Sequence, residues 1–101
     1  MEKTSNDPLE TRLVRVYGRV QGVGYRCACV QQARKMGVTG WVRNRMDDSV
    51  EAMLQGTSSQ LDRMCNWMRD EVSTALVEDM NITEVPPPFL RFDRFEQRPT
   101  E

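Results

Sequence analysis

Two short stretches of the chain carry residue types suited to chemistry. The first is VYGRVQGVGYR, residues 16 to 26. The glycines at 18, 22 and 24 let a backbone turn tightly and bring several N–H groups toward one point. A helix opening near Tyr25 would add unpaired amide donors and a partial positive charge. Arg26 would sit in its first turn and contribute a permanent cation with a two-pronged donor. Together these features describe a phosphate cradle, although the glycines would serve equally well to shape a turn with no ligand. The second stretch is GWVRN, residues 40 to 44. Beside a turn, the Asn44 carboxamide offers both an acceptor and donors, for a reacting group or for its own backbone.

Two better-known phosphate motifs are excluded. No Gly-Lys-Ser/Thr follows the glycines, so the loop is not a P-loop. Cys27 stands where a dinucleotide fingerprint needs glycine. The chain has no histidine, which removes Ser-His-Asp and Cys-His arrangements. Cys27, Cys29 and Cys65 are odd in number and lack metal-site spacing. They read as small apolar side chains packed on helices, and no metal site is expected.

Charge is unevenly spread. Residues 11 to 45 hold eight basic side chains (Arg12, Arg15, Arg19, Arg26, Arg34, Lys35, Arg43 and Arg45) and no acidic one. The remainder holds six basic and fifteen acidic side chains. The asymmetry points to an anionic ligand near the N-terminal half, or else to a solvated basic face. On this reading Arg43 and Arg45 steer anions without taking part in chemistry.

The elements that must position these residues follow from periodicity. Val14, Val16 and Val20 share one side of a strand over 12 to 20. Tyr25, Cys29, Ala33 and Met36 fall on one face of a helix that Gly37 ends. Residues 38 to 55 read as a hairpin turning at Asp47-Asp48, with Val50, Ala52 and Leu54 facing the core and Glu51, Met53 and Gln55 opposite. Thr57 and Gln60 form a capping box ahead of a stripe of Leu61, Met64, Cys65, Met68 and Val72. ALVEDMNITEV reads as a strand with a bulge, ended by Pro86-Pro87-Pro88. A short last strand would use Phe92 and Phe95. The order βαββαβ is the split βαβ, ferredoxin-like α+β sandwich: an antiparallel sheet carrying two helices on one face.

The chain of 101 residues suits one domain, expected over 11–98 behind a flexible polar tail over 1–10. With 39% hydrophobic and 29% charged residues, composition is that of a soluble protein. No apolar run approaches the ~20 residues of a membrane helix, and MEKTSNDPLE lacks a signal peptide's apolar core. A cytoplasmic protein is expected, with no membrane partner. The stacking aromatics and motif of an RNA-recognition sheet are absent, so no nucleic acid is expected either.

GRVQGVGYR, a helix's length, MGVTGWVRN and then DDSVEAMLQG together resemble the acylphosphatase family, from about Leu13 to Phe95. The resemblance implies the ferredoxin-like fold and hydrolysis of acyl phosphates without metal or organic cofactor. It implies that Arg26 and the backbone N–H groups of Gln21, Gly22, Val23, Gly24 and Tyr25 bind the phosphate, and that Asn44 orients the attacking water. Inorganic phosphate would be product and competitive inhibitor, and the enzyme a monomer. The alternative is a non-catalytic anion-binding or accessory module on the same frame. Two departures from the family pattern stand out: Asp47-Asp48 where Asp-Gly is usual, and Gln97 where an apolar residue is common.

Overall fold

A computed structural model describes residues 7–101; residues 1–6, most of the expected tail, lie outside the described residues. The elements are β1 (Glu10–Arg19), α1 (Tyr25–Met36), β2 (Thr39–Asn44), β3 (Val50–Gly56), α2 (Ser58–Asp70), β4 (Leu76–Glu84) and β5 (Phe95–Gln97). They form one sheet in the order β4-β1-β3-β2-β5. The expected hairpin is β2 and β3, in register from Thr39↔Gln55 to Asn44↔Val50. The expected bulge falls where β4 pairs with β1, at the step between Tyr17 and Gly18. There Gly18 comes so close to β4 that a Cβ would lie 2.2 Å from the Leu76 carbonyl oxygen.

Alternation decides what each strand buries. Val14 and Val16 of β1, Val42 of β2, and Val50, Ala52 and Leu54 of β3 all point to the helix-covered face and are fully buried. The helices meet them with Tyr25, Cys29 and Ala33 from α1 and Leu61, Met64, Cys65 and Met68 from α2. Val72 lies past the end of α2 and packs partly against this core. The capping box is present: Thr57 Oγ1 accepts from Gln60 N, and Gln60 Oε1 accepts from Thr57 N. Gln60 Nε2 also donates to Met36 O, tying the start of α2 to the end of α1.

Three expectations need correction. The sheet is mixed, because β5 runs parallel to β2. The reason is the route of residues 85–94, which stay at one end of the sheet. Val85 N donates to Thr11 O, the Gln55 side chain holds Leu90 O and Phe92 N, and Gly40 N donates to Arg94 O. The chain therefore reaches the far edge where β2 begins and must run alongside it. Phe92 precedes the strand, and Phe95 alone of the pair is in β5 and buried. Finally, Cys29 and Cys65 are buried as expected but Cys27 is exposed, since two residues along a helix turn to a different face.

Candidate functional site

β1, β2 and β5 all finish at the same end of the sheet, because β2 and β5 run parallel and both run with β1. That end gathers the loop after β1, the first turn of α1, Asn44 at the close of β2, and Gln97 at the close of β5. Gly22 and Gly24 both hold positive φ, +74° and +77°, with nothing near the position of a Cβ. Conformation, not space, demands glycine there. Gly24 is the N-cap of α1 and provides no side-chain cap, and the first turn holds no acidic residue. The helix's first amides and its positive end are therefore left uncompensated by the chain itself.

Arg26 is half-buried in that turn. Among the described residues no carboxylate pairs with it, in contrast to Arg12, Arg15, Arg43 and Arg45. With Val20, Gly22, Gly24, Tyr25, Cys27 and Gln97 it lines a concavity of about 210 Å³. The Tyr25 side chain turns away into the core. Its hydroxyl donates to Met68 O at 2.9 Å, and burial pushes its pKa up. Tyr25 thus contributes main chain to the site while its ring anchors α1 to α2. Val23 packs partly on the core, and its carbonyl accepts from Thr74 Oγ1 at 2.9 Å.

Asn44 does not line this concavity. It closes β2 opposite Val50, and its backbone carbonyl accepts from Glu101 N at 3.1 Å. Its Oδ1 is buried and has no hydrogen-bond partner among the described residues. The following turn is built around Asp47. The Asp47 carboxylate accepts from Ser49 Oγ (2.5 Å) and Ser49 N (3.0 Å), with Arg15 nearby. These bonds hold its pKa below the ordinary carboxylate value, the Ser49 side chain contributing most. Asp48 takes φ +73°, the conformation a glycine would adopt without strain.

Sequence reasoning missed the side chain of Gln21. Its Nε2 donates to Arg45 O and to Ser49 O, both at 2.8 Å, and so joins the glycine loop to the turn after Asn44. A polar side chain beside two glycines was the available signal, but its partners lie 24 and 28 positions away. The structure also corrects the reading of Arg43 and Arg45 as anion-steering groups. Both pair with Glu51, at 2.9 and 3.4 Å, and Arg43 also stacks on Trp41.

A larger concavity, about 450 Å³, lies at the opposite end of the sheet. Its glutamine and threonine side chains are already used by the fold. Gln55 binds Thr11, Leu90 and Phe92, and Gln60 caps α2 and holds Met36. Among the described residues no group of three His, Cys, Asp or Glu side chains is arranged to hold a metal ion, and no helix is long and apolar enough to cross a membrane.

Comparison with known proteins shows the family. Residues 12–97 match the family model described as Acylphosphatase. The chain is 68% identical over 92 residues to "Acylphosphatase 1" of Ralstonia nicotianae, covering 91% of this chain and 90% of that protein. It is 50% identical over 99 residues to an acylphosphatase of Polaromonas naphthalenivorans, covering 98% of each. Its structure superposes with a TM-score of 0.81 on the crystal structure of an acylphosphatase from Bacillus subtilis. That protein is 32% identical, and the match covers 90% of this chain and 99% of that one.

Proposed function

This chain belongs to the acylphosphatase family and hydrolyses the carboxyl–phosphate bond of acyl phosphates, and we propose that it does so with Arg26, the loop amides of Gln21 to Tyr25, and Asn44. The observation that carries the reading is the half-buried Arg26, without a carboxylate partner among the described residues, beside an uncapped helix start and two left-handed glycines. These groups supply a cation and backbone donors to one small concavity, which suits a phosphoryl group.

An acyl phosphate is a mixed anhydride whose carboxylate leaves readily. The enzyme needs no strong nucleophile; it needs to hold the phosphoryl group, stabilise its charge and align one water in line with the leaving oxygen. Arg26 and the amides perform the first two tasks. The Asn44 carboxamide, at the close of β2, hydrogen-bonds the water and orients it. Water oxygen bonds to phosphorus as the P–O bond to the carboxylate breaks. The carboxylate leaves with the bonding pair, and the water's proton passes to a phosphoryl oxygen, since Asn44 is a poor base at neutral pH. Inorganic phosphate, having the same anionic oxygens, competes for the cradle. The protein works as a cytoplasmic monomer with no cofactor.

The test is hydrolysis of benzoyl phosphate beside an alkyl phosphomonoester, with inorganic phosphate as inhibitor. The acyl phosphate should be cleaved far faster, because no group in the site is placed to protonate an alkoxide. Comparable specificity constants on both substrates would contradict the mechanism.

A further inference from the structure

Resting on the roles given above to Arg26 and Asn44, we infer that the side chain of Gln21 is a positioning residue that sets Asn44 relative to the phosphate cradle. Its amide nitrogen spends both hydrogens on one turn, donating to Arg45 O and Ser49 O at 2.8 Å each. These carbonyls mark the two ends of that turn. Ser49 O also accepts from Arg45 N at 2.8 Å, and Arg45 O also accepts from Asp48 N at 3.2 Å. Gln21 therefore clamps the base of the turn, one residue beyond Asn44.

The cradle itself has other supports. Thr74 Oγ1 holds Val23 O, Tyr25 OH holds Met68 O, and Ala28 N donates to Gly24 O to start α1. None of these reaches the turn. On the other side, Asn44 is fixed to β3 and to Glu101 through its backbone, and neither bond refers its position to the loop. Among the described residues, Gln21 is the side chain that spans the two halves. Its loss should leave phosphate binding in place and let the water-orienting carboxamide drift from the reacting phosphorus. Displacements of that kind cost rate steeply, up to about 100-fold for roughly 1 Å.

The experiment is a double-mutant cycle on Gln21 and Asn44. Gln21→Met keeps the length and removes both donors. It should lower kcat by about tenfold or more while the inhibition constant of phosphate stays within about threefold. In an Asn44→Ala background the same change should cost less than about twofold, because nothing remains to be positioned. Gln21→Leu, which also lacks both donors and adds no charge, serves if the methionine variant does not fold, and it should lose rate in the same pattern. The inference is overturned if kcat of the Gln21 variant stays near wild type. It is equally overturned if the loss is undiminished in the Asn44→Ala background, or if phosphate affinity falls in step with kcat, which is what general loosening of the loop would produce. A near-wild-type kcat for Asn44→Ala alone would instead contradict the role of Asn44 on which the inference rests, and that arm is read separately.

Discussion

Glu51, buried on the open face of the sheet, gathers Arg15, Arg43 and Arg45 within 3.4 Å, whereas Arg26 at the mouth of the glycine loop meets no carboxylate among the described residues. Both regions fall within the same basic stretch of sequence, yet they do opposite things with charge. On the open face β1, β2 and β3 lie side by side, so that Arg15 pairs across with Glu51 and Arg43 with Glu51 in register. Trp41 completes this layer, flanked by Arg43 and Arg98 at 4.7 and 5.2 Å from its ring centre. At the loop, on the function proposed above, the cation serves a ligand. The density of basic residues along a chain does not locate an anion site; we place it where an unpaired cation meets an uncapped helix start and two left-handed glycines.

Removing Arg26 should produce the largest effect. Arg26→Ala deletes the charge and the fork together, and turnover on an acyl phosphate should fall by about 10²–10³, the usual consequence of losing a preorganised charge-stabilising donor. Lysine at the same position should restore part of it, because a point charge cannot reproduce the fork. Steady-state kcat and KM for both variants report this directly.

Glu51→Ala attacks the other region. Three arginines would lose their shared carboxylate, which is itself nearly inaccessible to solvent. The arginines are partly exposed, so the expected destabilisation is near the low end for breaking a buried pair, about 3 kcal/mol. Urea unfolding measures it, and kcat per folded molecule should stay close to wild type. A smaller change, Arg43→Ala, removes ion pairs to Glu51 and to the exposed Glu101 and the stacking on Trp41. It should cost roughly 1 kcal/mol and leave phosphate inhibition unaltered.

The smallest effect is expected at Asp47, which is exposed and holds the turn through Ser49. Its folded pKa lies below the ordinary value of about 3.9. The carboxylate therefore contributes stability that is present above that value and is lost as pH falls through the depressed one. In Asp47→Asn the melting temperature should decline less than that of wild type on acidification below about pH 4. Parallel curves would show that the turn is held by other means.

Local signals were legible where one stretch of chain decides the outcome. Thr57 and Gln60 cap α2 as their types and spacing require, and the alternation of Val50, Ala52 and Leu54 places all three in the core. The glycine loop was legible as a turn into a helix because Gly22, Gly24 and Arg26 lie within five residues. Features set by distant partners were not. The parallel pairing of β5 depends on how residues 85–94 cross the end of the sheet, and that route rests on Gln55, whose alternation marked it only as opposite the core. Gln55 and Glu51 are buried on the face opposite the helices, one by the crossing segment and one among arginines. The pairing of Arg43 and Arg45 and the reach of Gln21 likewise need the hairpin and loop to be folded before they exist.

The most direct test of the contrast is calorimetric titration of inorganic phosphate into wild type, Arg26→Ala and Arg43→Ala, each shown to be folded by circular dichroism. The account predicts that Arg26→Ala loses measurable phosphate binding while Arg43→Ala binds within about twofold of wild type, its charge being already committed to Glu51. Normal phosphate binding by Arg26→Ala, or its loss in Arg43→Ala, would contradict the placement of the anion site at Arg26.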